Sequence, residues 1–200
     1  MEPIVIDDFI PEVYQDSIYH LMTGREFPWS FYDYSVSDEP LENFYQIGEP
    51  YQEHVQMGHL FVRDNEIKSE YFKYIAPLLG SFVKETGTNL GDMFRIKSNL
   101  LVAQPGTQTQ FPHADGMNVV DGQITSIDKK TLLYYVNDSD GDTFFYDKHF
   151  YGEPIGKINK VMQVSPKKGR AIIFDSNHLH AGSCPKNSKF RMVINCVFQQ

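Results

Sequence analysis

Two periodicities divide the chain. Phe72, Ile75, Leu79 and Phe82 recur at the three-to-four spacing that gathers apolar side chains on one side of a helix, which predicts a helix over roughly 68–85. Pro77 lies inside that span and should bend it, and Gly87 is placed to stop it. A shorter helix should open at Pro11, carry Val13, Ile18, Leu21 and Met22, and end at Gly24. His59–Arg63 fits a strand. Residues 25–57, interrupted by Pro28, Pro40, Gly48 and Pro50, follow no regular period.

From Phe94 onward the alternation has period two. Ile96, Ser98, Leu100, Val102 and Gln104 share one face of a predicted strand, and Arg95, Lys97 and Asn99 share the other. Taking the apolar face as the inward one puts Gln104 inside and Asn99 opposite. Pro105-Gly106 ends this run. Thr131–Asn137 is a second strand, Asp138–Asp142 a turn, and Thr143–Tyr146 its expected hairpin partner. Further strands fit Lys160–Ser165, Arg170–Asp175 and Phe190–Gln199. Strands at regular intervals without helices between them imply an antiparallel sandwich or barrel. There is no internal repeat, low-complexity tract or linker. The pattern predicts one domain over 1–200, with a helical N-terminal elaboration over 1–93 packed on a β core over 94–200.

Composition refines this outline. At 41% hydrophobic and 14% aromatic over 200 residues, the chain has material for a real core and none of the marks of disorder. No stretch approaches the roughly 20 apolar residues of a membrane-spanning helix. The start, MEPIVIDDFIPEVYQ, lacks the basic and apolar regions of a signal peptide. Two cysteines, Cys184 and Cys196, form no disulfide framework and are not spaced for zinc, so small buried residues in a reducing cytoplasm are expected. A net charge of −8 argues against a nucleic-acid partner. That charge is unevenly spread: residues 1–94 hold 5 Lys+Arg against 17 Asp+Glu, and residues 95–200 hold 13 against 9. The basic run Lys157, Lys160, Lys167, Lys168 and Arg170 reads as the solvated face of strands. Asp138, Asp140 and Asp142 lack the later glutamate of a calcium loop, which leaves them as turn residues.

The candidate chemistry centres on His113-Ala-Asp115. On an extended segment, residues i and i+2 point the same way, so an imidazole and a carboxylate converge. Asn177-His178-Leu179-His180 offers a third ligand, from either His178 or His180. Two histidines and one carboxylate make the facial triad of non-haem Fe(II) sites, which leaves coordination positions open. With 7 His in the chain, a His-x-Asp triplet arises about half a time by chance, so the motif needs its context. His20, His54, His59 and His149 lack partners at ligand spacing and are expected at the surface or in ordinary packing.

The context is an ordered set: His-x-Asp after a strand ending in Pro-Gly, then Leu132–Asn137, Gly141-Asp-Thr143, Gly169–Phe174, His180-Ala-Gly182, and Arg191 eleven residues after His180. Over residues 94–199 this resembles the 2-oxoglutarate/Fe(II)-dependent oxygenases, in particular the prolyl 4-hydroxylase-like branch with its small bacterial and phage members. Ile6-Asp-Asp-Phe-Ile-Pro11 and Phe27-Pro-Trp29 resemble their lead-in more loosely. The resemblance implies a double-stranded β-helix (jelly roll) with N-terminal helices on its outer face. It implies Fe(II) on His113, Asp115 and His180, 2-oxoglutarate and O2 as co-substrates, and ascorbate as reductant. Arg191 would pair with the distal carboxylate of 2-oxoglutarate, helped by Tyr135. Gln104 stands where relatives often have a co-substrate-binding tyrosine, and Asn195 shares the face of Arg191 in a regular strand. No side chain need act as acid or base. The implied reaction is hydroxylation of a substrate C–H bond, with peptidyl or free proline as the first substrate and loops 30–57, 116–130 and 146–158 setting specificity. Three competitors are an AlkB-like nucleic-acid demethylase, a non-catalytic jelly-roll binding module and a cupin-type isomerase. The AlkB-like family has a second arginine six residues beyond the first, where this chain has Val197.

Overall fold

A computed structural model describes residues 1–33, 44–87, 90–106, 108–120, 123–126 and 129–199. In chain order the elements are β1 (Ile4–Ile6), α1 (Glu12–Thr23), β2 (Ser30–Tyr32), β3 (Tyr45–Ile47), β4 (Gln56–Arg63), β5 (Glu66–Ile67), α2 (Phe72–Thr86) and β6 (Met93–Val102). They continue with β7 (Met117–Val120), β8 (Gln123–Ser126), β9 (Lys129–Tyr135), β10 (Thr143–His149), β11 (Gly156–Ile158), β12 (Lys160–Val164), β13 (Ala171–Asp175), β14 (His178–Gly182) and β15 (Phe190–Gln199). The major sheet runs β1-β13-β9-β15-β6-β4-β2, with β5 paired to β4. The minor sheet runs β12-β10-β14 and is extended by backbone bridges from Thr109 to Ser183 and from His113 to His180. Two facing sheets of this order form a jelly roll.

The major sheet has two unlike faces. Ile96, Leu132, Tyr134, Met192, Ile194, Cys196 and Phe198 pack against Ile18 and Met22 of α1 and Ile75, Leu78, Leu79 and Phe82 of α2. The helices therefore sit on the outer face, as the resemblance implies. Leu133, Tyr135, Ile172, Phe174 and Val193 form a second cluster with Phe145 and Val164 of the minor sheet, inside the barrel. Ahead of helix α2, the Ser69 hydroxyl contacts His59 Nε2 at 2.8 Å and accepts the N–H of Tyr71 at 3.2 Å, which fixes the turn leading into Phe72. The helix runs on through Pro77 and ends at Gly87, whose positive φ of 66° lets its N–H close on the carbonyl of Val83.

Three expectations change. Strand β10 is not the hairpin partner of β9: the two lie in different sheets, and β10 runs between β12 and β14. The Asp138–Asp142 segment crosses between sheets, and Asp140 anchors it by accepting the backbone N–H groups of Lys186, Asn187 and Ser188 at 3.2, 2.7 and 3.0 Å. The first 93 residues are not a helical elaboration alone. They place β1 beside β13 and β4 beside β6, so the major sheet crosses the expected boundary. Finally, the apolar face of β6 is the one turned to the helices. Lys97 and Asn99 pair in register with Asn195 and Val193, so Arg95, Lys97 and Asn99 line the barrel interior.

Candidate metal centre and anion pocket

The bridge between the 109–113 segment and β14 brings the triad together. His113 and His180 exchange backbone hydrogen bonds of 2.8 and 2.9 Å, and Asp115 follows two residues on. One ligand atom each from His113, Asp115 and His180 lies within 4.8 Å of the others. Each imidazole is oriented by a backbone carbonyl two residues earlier: His113 Nδ1 faces the oxygen of Phe111 at 3.3 Å, and His180 Nδ1 that of His178 at 2.9 Å. With Nδ1 engaged, Nε2 is the ring nitrogen left to face a metal, and His180 Nε2 lies 3.4 Å from Asp115 Oδ2. Burial pushes His113 down to about 3, which keeps its ring neutral and able to donate to a metal.

Asp115 is held from several sides. Arg95 Nη2 donates to Oδ1 at 2.6 Å, and Asn195 Nδ2 and Thr131 Oγ1 donate to Oδ2 at 2.9 and 3.2 Å. Burial by itself would raise this carboxyl. Hydrogen bonding to His180 and the charges of His180 and Arg95 outweigh that and hold it well below the usual carboxylate range. Two imidazoles, a fixed carboxylate and three remaining directions suit a ferrous ion. His178 is not a ligand: its Nε2 bonds the carbonyl oxygen of Tyr146 at 2.7 Å and its ring stacks on His149. It is buried, with an exposure of 7%.

Further along β15, on the face of Asn195, Arg191 is 4% exposed. Among the described residues no carboxylate lies within ion-pairing distance of it, and its buried Nε has no partner. Its Nη2 donates to Thr143 Oγ1 at 2.8 Å, which also accepts from the Tyr135 hydroxyl at 2.6 Å, and the guanidinium sits 5.6 Å over the Tyr135 ring. Burial lowers Arg191 and raises Tyr135 from their ordinary values, so the tyrosine stays a protonated donor. Backbone room for the arginine comes from Gly141, where a Cβ would stand 2.9 Å from Arg191 Cδ and 2.5 Å from the carbonyl oxygen of Ser183.

Comparison with solved structures agrees with this geometry. A 2OG-Fe(II) oxygenase family oxidoreductase from Burkholderia pseudomallei matches at a TM-score of 0.63 and 12% identity, over 98% of this chain and 84% of that one. The viral collagen prolyl hydroxylase of Paramecium Bursaria Chlorella virus-1 matches at 0.52 and 16%, over 100% and 97%. The epimerase SnoN from nogalamycin biosynthesis matches at 0.61 and 11%, over 99% and 77%. The fold is that of the 2-oxoglutarate/Fe(II) oxygenases. No family model and no curated protein matches the sequence.

Within this oxygenase fold, the structure brings His113, Asp115 and His180 to one point and sets Arg191 and Tyr135 beside each other. Asn195 lines the same interior but commits its amide to Asp115. Gln104 lies past the end of β6, three residues beyond Leu101, the partner of Arg191. Its amide donates to the carbonyl of Val55 at 2.9 Å and sits 3.6 Å from Cys184 Sγ. Both cysteines are buried free thiols. Sequence reasoning missed Arg95 and Thr131, which hold Asp115, and Thr143, which joins Tyr135 to Arg191. Thr143 was visible as the end of Gly141-Asp-Thr143. Arg95 would have followed from assigning the polar face of β6 to the interior.

Proposed function

We propose that this chain is a 2-oxoglutarate-dependent Fe(II) oxygenase that hydroxylates a substrate C–H bond, with proline, free or in a peptide, as the first candidate. The observation that carries the proposal is the pairing, on one barrel interior, of a preoriented His-Asp-His group with a buried arginine that lacks a counter-ion among the described residues. A buried guanidinium without an acid is costly unless a ligand supplies one, and its planar fork suits a carboxylate. When bound, ferrous iron with 2-oxoglutarate and O2 supplies the oxidising chemistry, giving hydroxylated substrate, succinate and CO2.

The chain's own residues do the positioning. His113, Asp115 and His180 would hold the metal by their Nε2 and carboxylate atoms. Arg95, Thr131 and Asn195 restrain Asp115, so it presents a fixed oxygen. Arg191 would grip the distal carboxylate of 2-oxoglutarate. Thr143 accepts from both Tyr135 and Arg191, which fixes the two side chains beside each other. Leu133, Ile172, Phe174 and Val193 exclude water between the two ends of the pocket. No protein acid or base is required. Epimerase and hydroxylase neighbours resemble this fold to a similar degree, so hydroxylation of proline rests on the motif resemblance.

Anaerobic titration provides the test. Protein with Fe(II) and 2-oxoglutarate should develop a weak visible charge-transfer band, and succinate should form with O2, ascorbate and substrate. His113→Ala and Asp115→Ala should abolish the band. Arg191→Ala should weaken 2-oxoglutarate about 100-fold, the loss of a charge-assisted bidentate contact, while sparing the metal. A band that survives both triad substitutions would refute the metal centre.

A further inference from the structure

The interior face of β6 carries a cation that the site does not use. Lys97 pairs in register with Asn195 on one side and Leu60 of β4 on the other, so its side chain rises beside the residue that holds Asp115. Burial and the neighbouring charge of Arg95 bring its ammonium down to about 7, so a bound anion would be what holds the proton on it. The other interior cations are engaged. Arg95 is bonded to Asp115 at 2.6 Å, Arg191 belongs to the co-substrate end, and Lys129 lies 3.2 Å above the centre of the Phe94 ring. Among the described residues the Lys97 ammonium has no carboxylate within ion-pairing distance, the Asp115 oxygens being taken by Arg95, Thr131 and Asn195. Two residues on, Asn99 shares its face, opposite Gly58 and Val193. The space over Gly58 is taken by the Tyr32 ring, whose Cε2 would stand 2.8 Å from a Cβ there.

We infer that Lys97, with Asn99 beside it, binds a carboxylate of the prime substrate, and that the substrate is a small molecule with a free acid group rather than an internal residue of a peptide. This rests on the oxygenase proposal. With a divalent metal and a dianionic co-substrate in place, the charges of Asp115, Arg95 and Arg191 already leave the pocket positive before Lys97 is counted. Both co-substrate carboxylates are then accounted for, one by Arg191 and one by the metal. Lys97 lies across from Asn195, the residue that bonds Asp115, so an acid group bound there would sit beside the metal end of the pocket. Ammonium and amide at i and i+2 on one strand present donors in the same direction, which fits a two-oxygen acceptor.

The experiment separates the two possible sources of the carboxylate. Anaerobic Fe(II) protein, as wild type, Lys97→Met and Lys97→Arg, is titrated with 2-oxoglutarate, following the charge-transfer band. Affinity for 2-oxoglutarate should differ by less than about threefold among the three. A tenfold or greater loss in Lys97→Met assigns Lys97 to the co-substrate and overturns the inference. The ternary complex is then titrated with the free L-amino acids, linear dicarboxylic acids and the corresponding amides, reading the shift of the band and, in air, succinate release. At least one free acid should respond and its amide should not. Lys97→Met should raise the half-saturating concentration of that acid 10- to 100-fold, and Lys97→Arg should restore part of it. A response from the amide equal to that of the acid, an unchanged half-saturation in Lys97→Met, or a panel without a responder overturns the inference. Absence of the band with 2-oxoglutarate alone marks failure of the oxygenase proposal instead.

Discussion

A single carboxylate organises the metal end of the pocket. Asp115 has donors on both oxygens, so its charge is fixed in place before a metal arrives, and binding requires little rearrangement. The donors come from three different strands: Arg95 from β6, Thr131 from β9 and Asn195 from β15. Asn195→Ala or Arg95→Ala should leave the fold intact and weaken Fe(II) about 10- to 100-fold, the usual cost of losing a ligand's supporting hydrogen bond. Titration with Fe(II) or with Mn(II) under anaerobic conditions measures it. Thr143→Val keeps the shape but leaves Tyr135 and Arg191 without their shared acceptor, so 2-oxoglutarate should bind about tenfold more weakly, as for a lost buried hydrogen bond. Metal affinity should stay unchanged in that variant. Ligand identity was legible in the sequence because i and i+2 parity is a local rule. The donors to Asp115 were not, since Arg95 and Asn195 lie 20 and 80 residues away and meet it only through the sheet register.

At the scale of elements, β6 shows what alternation can and cannot reveal. Its period of two correctly separated two faces but did not say which one looks into the pocket. In a barrel with helices outside, the apolar face seals the outer core and the polar face holds a charged site, the reverse of a solvent-facing sheet. The helices were readable from their own periodicity, and β9, β12, β13 and β15 from theirs. The hairpin expected from β9 to β10 failed because a turn-rich pentapeptide looks the same whether it reverses a strand or crosses between sheets. Here Asp140 decides the geometry by gathering three backbone N–H groups. Its carboxyl is held far below the ordinary value, against a desolvation that raises it, by hydrogen bonds from Ser188 and Asn187. Asp140→Ala should cost about 1–2 kcal/mol in denaturant unfolding as the loop before β15 loosens. Gly141→Ala meets both the Ser183 carbonyl and Arg191, and should cost about 1–3 kcal/mol and weaken 2-oxoglutarate as well.

Over the whole molecule, the uneven charge resolves into complementarity. The basic run is not simply a solvated face: Lys167 and Arg170 pair with Asp7, Lys168 with Asp16, and Lys160 with Glu49. The acidic N-terminal part is thus clasped to the basic barrel, and α1 is held there by its apolar side as well. Asp7 is held at about 2 by the hydrogen bonds of Arg170 and Lys167, against an ordinary value of 3.8. A folded value below the unfolded one means the stabilisation is present above about 3.8 and disappears as the pH falls toward 2. Asp7→Asn should therefore flatten the acid limb of a Tm-versus-pH profile. Because these groups are largely exposed, it should lower Tm at neutral pH by no more than about 4 °C. Raised salt should reduce the difference between variant and wild type.

The position of β15 has a consequence for how the chain is made. It is the central strand between β9 and β6, yet it spans residues 190–199 and is translated after every other strand of the major sheet. Until it emerges from the ribosome, β9 and β6 have no common partner, and their facing edges stay open to wrong pairings. Arg191 and Asn195 arrive on the same strand. Barrel closure, seating of the carboxylate pocket and restraint of Asp115 therefore become one late event in synthesis. A nascent chain halted before Phe190 should hold neither a closed sheet nor a site able to bind metal and co-substrate, and should depend on a chaperone to stay in solution.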